Sequence, residues 1–310
     1  MKKGIILLVL MLLALAAYGC STTSDDETFD GNINIYTRDT SSGTRDGFMR
    51  GIGFPEASGN DAVLASGFAT QNNLGIMNAM TVDEYGIGYV SLASVNDTIK
   101  ALFFEGVEPT EENVINDSYG LKRPFVFMTR AEDDWASEEI KQIADAFVAF
   151  LESLDGSDVI ADQGAVPLPS SYRWNDVAAD HPICAQDNSA LTLRFGGSDS
   201  ITRIAEALSD AFSPRCGNVV TVNDHTGSSD AFKRTQGDEK DGVNAKEIGY
   251  SSRPFRNEEL ETDPETRGQL AWDAIVAIVH KDNPVNSLTA AQLRDIYAGD
   301  ITRWSELLED

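Results

Sequence analysis

Three times in this chain a short apolar strand runs into glycine and small hydroxyl residues that lead straight into a helical pattern. The loops are Arg38-Asp39-Thr40-Ser41-Ser42-Gly43-Thr44 after the strand at 32–37, Gly196-Gly197-Ser198-Asp199-Ser200 after that at 191–195, and Thr226-Gly227-Ser228-Ser229-Asp230 after that at 219–222. A turn of this kind commits its segment to a strand–loop–helix unit, so a chain built on three of them is α/β. It also has a chemistry. The first-turn N–H groups of a helix have no intrahelical partner, the helix dipole places partial positive charge there, and Gly43 lets the backbone approach closely. Ser42 and Thr44 add hydroxyl donors, and Arg38, the one clear cation of the motif, adds a fork that can hold two oxygens. Any one of these loops, taken alone, reads first as a plain N-cap. Their repetition points to convergence on one anionic ligand.

The rest of the chain keeps the α/β rhythm. Strands are expected at 87–92, 99–104, 124–129, 248–253 and 274–279, with an irregular stretch at 53–81 and a turn at 106–110. Ile140, Ile143, Ala144, Phe147, Phe150, Leu151 and Leu154 make the core-facing stripe of a helix expected over 137–154. Ile201, Ile204, Ala205, Leu208, Ala211 and Phe212 mark another, and the Thr289/Gln292 capping box with Gly299 as a stop brackets a third. Residues 164–168 close the first unit, and residues 169–189, without an apolar period, read as a surface linker.

At the N-terminus, Lys2 and Lys3 precede an apolar run at 5–17 that is too short to span a bilayer, and Tyr18-Gly19-Cys20 follows. That is the layout of an export signal at 1–20, similar to a bacterial lipoprotein site at which Cys20 is acylated; the alternative is an ordinary signal peptide with an incidental cysteine. Residues 21–30 read as an acidic tether. Removing Cys20 from the count leaves Cys184 and Cys216, either two separate thiols or the disulfide that an exported chain permits. In a parallel sheet the strands entered near Leu191 and Val219 would start side by side, which predicts the bridge.

The formal charge of −26 in 310 residues excludes nucleic acid and anionic lipid surfaces as partners, and requires any anion site to work through short-range donors. His181, His225 and His280 are scattered, so no metal site or other cofactor is expected. A hydrolase using one of the serines is disfavoured, because there is no G-x-S-x-G elbow and no histidine placed as its base.

These residues resemble the substrate-binding proteins of bacterial phosphate ABC transporters. The resemblance is carried by Arg38-Asp39-Thr40-Ser41-Ser42-Gly43-Thr44-Arg45, Gly197-Ser198-Asp199-Ser200, Gly227-Ser228-Ser229, Ile248-Gly249-Tyr250-Ser251-Ser252-Arg253, Asp282-Asn283-Pro284-Val285 and the segment 289–308. It implies a two-lobed type II periplasmic-binding-protein fold with a ligand cleft between the lobes. One lobe would comprise 31–120 plus 276–310, and the other 121–275 including the linker. Phosphate would be held by Arg38, Ser42, Gly43 and Thr44 from the first lobe and by Asp199, Ser200, Ser228 and Ser252 from the second. The implied role is a lipid-anchored monomeric receptor on the extracytoplasmic face that serves an ABC permease. Another oxyanion, sulfate or molybdate, or a signalling or adhesion role on the same fold, are the alternatives.

Two departures from the family stand out. Its halves are exchanged here, as in a circular permutant or a piece of a tandem gene. Some members place a carboxylate at the position of Ser252 to accept the proton that phosphate carries and sulfate lacks. Asp199 is the nearest substitute, with Asp46 and Asp230 behind it, unless Asp199 only caps its helix.

Overall fold

The computed structural model describes residues 29–308, so the expected signal segment, the lipidation site at Cys20 and most of the tether lie outside the described residues. In chain order the strands are β1 (Asn34–Thr37), β2 (Ala69–Thr70), β3 (Gly86–Ser91), β4 (Ile99–Ala101), β5 (Phe103–Phe104), β6 (Lys122–Thr129), β7 (Val166–Pro167), β8 (Thr192–Gly197), β9 (Val220–His225), β10 (Ile248–Ser251), β11 (Arg267–His280) and β12 (Ser287–Leu288). The helices of eight or more residues are α1 (Gly43–Gly51), α2 (Asn73–Met80), α3 (Glu138–Leu151), α4 (Leu154–Asp162), α5 (Thr202–Phe212), α6 (Ser228–Thr235) and α7 (Ala290–Ala298).

One sheet path, β2-β1-β3-β11-β6-β10-β8-β9, runs through the molecule. Its outer thirds are parallel, β2-β1-β3 at one end and β10-β8-β9 at the other, and antiparallel pairing of β3, β11, β6 and β10 joins them. Two principal cores sit on this path. Phe48, Ile87, Tyr89, Leu102, Ile275, Ile296, Tyr297 and Trp304 belong to one. Phe125, Phe147, Phe150, Leu193, Phe195, Leu208, Phe212 and Ile248 belong to the other. The chain passes between them at the start of β6, where Leu121 lies in the first core and Phe125 in the second, and within β11, where Ala271 lies in the second and Ala274 in the first. The long β11 is therefore a shared spine: residues 267–274 pair with β6 and residues 275–279 with β3.

Most expected elements are present within a residue or two, and four readings need correction. Residues 53–81 are not irregular throughout. Asn72 accepts from the Gly75 N–H at 2.8 Å and opens α2, whose Ile76, Met77 and Met80 are buried. The helix expected to reach residue 154 stops at Leu151, because the Ser153 hydroxyl donates to Phe150 O at 2.7 Å and caps the start of α4. The 169–189 linker is anchored: it carries three short helical turns, and Trp174 and Ile183 are buried in the second core. The last two residues of the expected tether belong to the fold, since Phe29 packs on Tyr85 and Trp304 and Asp30 pairs with Arg303 at 2.8 Å.

The disulfide is formed. Cys184 and Cys216 are bonded, with Cα atoms 3.9 Å apart, and β8 lies parallel to β9 with Thr192 opposite Val220. The Thr289/Gln292 capping box is present, and Gly299 ends α7 at φ 86, the left-handed conformation that glycine adopts without steric cost.

Candidate functional site

All eight residues expected to hold the ligand converge where the two cores meet. Thr44 Oγ1 lies 2.6 Å from Ser200 Oγ, Ser198 Oγ donates to Ser252 Oγ at 2.8 Å, and Ser228 Oγ lies 3.2 Å from Ser252 Oγ. Ser42 caps α1 through the Arg45 N–H at 3.3 Å. Gly43 is required by proximity: a Cβ built there would stand 2.3 Å from Ser228 Oγ and 3.0 Å from Ser252 Oγ. The first turns of α1 and α6 thus face each other across a seam of hydroxyl groups. Each hydroxyl can turn from its neighbour to an anion, and the N–H groups beneath supply fixed donors.

Arg38 is fully buried and its Nη2 pairs with Asp199 Oδ1, while among the described residues its Nε and Nη1 have no hydrogen-bond partner. A buried guanidinium with two unanswered N–H groups is costly unless something with oxygens answers them. Its position is rigid. The Arg38 N–H donates to Tyr89 Oη at 3.2 Å, and Arg38 O accepts from Arg45 Nη1 at 2.9 Å. Arg45 in turn pairs with Asp61 at 2.6 Å, and Tyr89 stacks on Phe48 at 4.0 Å.

Asp199 does not cap its own helix. Its Oδ2 accepts from the Asn73 N–H at 3.2 Å, at the start of α2 on the far side of the seam, and Oδ1 holds Arg38. The other two carboxylates considered play no part here: Asp46 pairs with Arg50 at 2.9 Å, and Asp230 bonds Thr226 and faces Arg234 at 3.3 Å.

Sequence reasoning missed a second cation. Arg123 is buried and its Nη1 donates to Thr44 Oγ1 at 2.8 Å and to Ser252 O at 3.2 Å, touching both sides of the seam. It is aimed by Asp273 at 2.8 Å, which also accepts from Ser91 Oγ at 2.9 Å. Burial pushes the Asp273 carboxyl up, opposed by the Arg123 charge, and burial pushes Arg123 down, opposed by Asp273. The only sequence signal for this pair is a charge that borders the apolar run of each of two strands, Arg123 before Phe125–Met128 and Asp273 before Ala274–Val279. Asn73 and His225 were also missed. His225 shares a hydrogen bond of 3.1 Å with Asn223 Oδ1, and burial lowers it to about 4, so the ring is neutral near pH 7. Locally Arg38 and Arg123 are balanced by Asp199 and Asp273, so an anion is met by oriented donors rather than by net positive charge.

Two cores on a shared spine, with helix N-termini meeting between them, make the two-lobed fold of the type II periplasmic-binding-protein kind. A model of the PBP superfamily domain matches residues 184–310. Over 320 residues the chain is 28% identical to phosphate-binding protein PstS 2 of Streptococcus agalactiae serotype V, covering 99% of each. It is 25% identical to PstS 2 of Streptococcus pneumoniae serotype 4 over 299 residues, 94% of each. The crystal structure of a phosphate-binding protein of a phosphate ABC transporter from Streptococcus pneumoniae TIGR4 shares the fold, with a TM-score of 0.63 at 24% identity over 89% of this chain and 99% of that one. Along nearly its whole length the chain is similar to proteins named as phosphate-binding, and residues 184–310 match the PBP superfamily domain.

Proposed function

We propose that this protein captures inorganic phosphate outside the cytoplasm and presents it to an ABC permease. The observation that carries the reading is Arg38, buried with two N–H groups unanswered, beside the seam of hydroxyls and the N-termini of α1 and α6. Phosphate would be held by Arg38, Ser42, Gly43, Thr44, Ser200, Ser228 and Ser252, with Arg123 behind Thr44. Asp199 is the acceptor for the phosphate proton, a role its freedom from helix capping supports. Relatives named as phosphate-binding support the same ligand.

On this reading the lobes are 31–120 plus 276–310 and 121–275, in keeping with the division of the cores near Leu121 and Ala274. The exchanged order of the halves is a circular permutation. The proximity of the two ends supports it: Ile33 N–H donates to Thr302 O at 2.8 Å and Trp304 N–H to Gly31 O at 3.1 Å, so the end of the chain runs on into its beginning. Acylation at Cys20 tethers the receptor to the membrane; no helix among the described residues is long and apolar enough to cross one. A Cys20→Ser chain that remains membrane-bound after cleavage would refute the anchor.

The deciding experiment is calorimetric titration of the chain from residue 21 onward with phosphate, sulfate and molybdate. Phosphate is expected to bind tightest. Preference for another oxyanion would change the ligand, and no binding of any of the three would leave a signalling or adhesion role on the same fold.

A further inference from the structure

The hydroxyl groups of the seam share a polarity. Ser42 Oγ accepts from the Arg45 N–H at 3.3 Å, Ser228 Oγ from the Ser252 N–H at 3.1 Å, and Ser252 Oγ from the Ser198 hydroxyl at 2.8 Å. Each partner stands behind the oxygen as a donor, so the hydrogen of each accepting hydroxyl is left to point elsewhere, toward a neighbour or an anion. For Ser42 and Ser228 that donor is backbone, fixed by the loops themselves. Thr44 is different: the donor behind it is a side chain from a distant strand, Arg123 Nη1 at 2.8 Å.

Arg123 sits opposite Asp273 in the register of β6 with β11, where both strands cross from one core to the other. Its Nε donates to Asp273 Oδ2 at 2.9 Å, while Asp273 Oδ1 accepts from the Ser91 hydroxyl at 2.9 Å and the Ala93 N–H at 3.4 Å. The guanidinium is therefore clamped on one side, and on the other Nη1 reaches Thr44 Oγ1 and, at 3.2 Å, Ser252 O. A guanidinium has no lone pair to offer. Thr44 cannot turn its hydrogen back toward Arg123, and Ser252 O, an acceptor that could otherwise draw that hydrogen, is already answered.

Thr44 Oγ1 also lies 2.6 Å from Ser200 Oγ, and in either sense of that bond one hydrogen of the two hydroxyls is left for a ligand. If Thr44 donates, Ser200 supplies it; if Ser200 donates, Thr44 does. A hydroxyl that accepts from a cation is also the stronger donor, because hydrogen bonds in a chain polarise one another.

We propose that Arg123, aimed by Asp273, is a positioning residue for the ligand: it commits the Thr44–Ser200 pair to donation and so completes a wall of hydroxyl hydrogens facing the anion. The inference rests on the phosphate reading above and deepens it, since Arg123 acts through Thr44 and not by touching phosphate.

The test is a double-mutant cycle on the chain from residue 21 onward, titrated calorimetrically with inorganic phosphate at pH 7.5 and fixed ionic strength. Arg123→Met/Asp273→Asn removes the cation together with its partner's charge, so that no buried carboxylate is left unpaired, and keeps an acceptor for Ser91 and Ala93. Thr44→Val removes the hydroxyl at constant shape. A urea melt checks the folding of each variant. The pair replacement is expected to weaken phosphate by about tenfold or more, the scale of one charge-assisted hydrogen bond. In the Thr44→Val background it is expected to cost less than threefold, because the group it works through is gone. A cost below tenfold in the parent, or of threefold or more in the Thr44→Val background, refutes the positioning role and leaves the phosphate reading standing. A parent chain that binds no phosphate fails that reading and the inference with it. Should the pair replacement not fold, Arg123→Lys enters the same cycle with the same limits. It keeps a charge against Asp273, but a single ammonium does not reproduce the fork that serves Asp273 and Thr44 together.

Discussion

Replacing Arg38 by alanine is the most direct trial of the site. The guanidinium is fully buried, and Nε and Nη1 are the two donors left for a ligand once Nη2 is committed to Asp199. Charge-assisted hydrogen bonds contribute about 1.5–3 kcal/mol each, so two of them amount to about 3–6 kcal/mol, or roughly 10²- to 10⁴-fold in Kd at about 1.4 kcal/mol per decade. The loss should lie toward the upper end, because the substitution also removes the cation between Asp199 and the incoming dianion. Arg38→Lys should recover only part of it, since an ammonium keeps the charge but not the planar fork. The backbone of Arg38 keeps its bonds to Tyr89 and Arg45 in either variant, so the loop should hold its shape. Calorimetry at fixed ionic strength gives Kd, and a urea melt confirms folding. A folded Arg38→Ala protein whose phosphate affinity falls less than tenfold would show that Arg38 does not contact the ligand.

Asp199→Asn should weaken phosphate by tenfold or more while leaving sulfate unchanged or improved, because the amide turns one of the two accepting oxygens into a donor and removes the negative charge that favours a protonated ligand; a constant phosphate-to-sulfate ratio would remove Asp199 from recognition. His225 makes stability pH-dependent. Burial lowers it from 6.5 to about 4, so the unfolded chain takes up the proton first as pH falls. Its contribution is therefore complete above pH 6.5 and is lost as pH falls toward 4, an effect of about 3 kcal/mol at about 1.4 kcal/mol per pKa step. Urea unfolding at pH 4.5 and 7.5 should show a smaller difference in His225→Asn than in the parent, and an equal difference would refute the assignment. Cys184 and Cys216 close a separation of 32 residues. Chain-entropy reasoning puts that closure near 3.7 kcal/mol, so a Cys184→Ser/Cys216→Ser chain should melt several degrees lower, and an unchanged melting temperature would count against a stabilising bridge.

Much of this protein is local and could be read from residues in a row. The alternation of strands and helices, the α3 stripe, the Thr289/Gln292 box and the three small-residue loops all follow from patterns a few residues long, because periodicity, capping and turn chemistry operate at that range. What local pattern left open was the consequence of packing. Helix α2 carries no local signal because its eight residues sit among glycine and asparagine, and the burial of Ile76 and Met80 stabilises what propensity alone would not. Residues 169–189 read as surface because Trp174 and Ile183 have no period, although each finds the second core.

At the site the same division holds. Arg38, Ser42, Gly43, Thr44, Ser200 and Ser228 lie in or beside turns whose composition announces anion chemistry. Arg123 and Asp273 are charges within strands, and they matter only because the fold brings Arg123 to Thr44 across 79 positions and to Asp273 across 150. By position Asp199 reads equally as a helix cap, but Arg38, from 161 positions away, and the Asn73 N–H take its side chain instead.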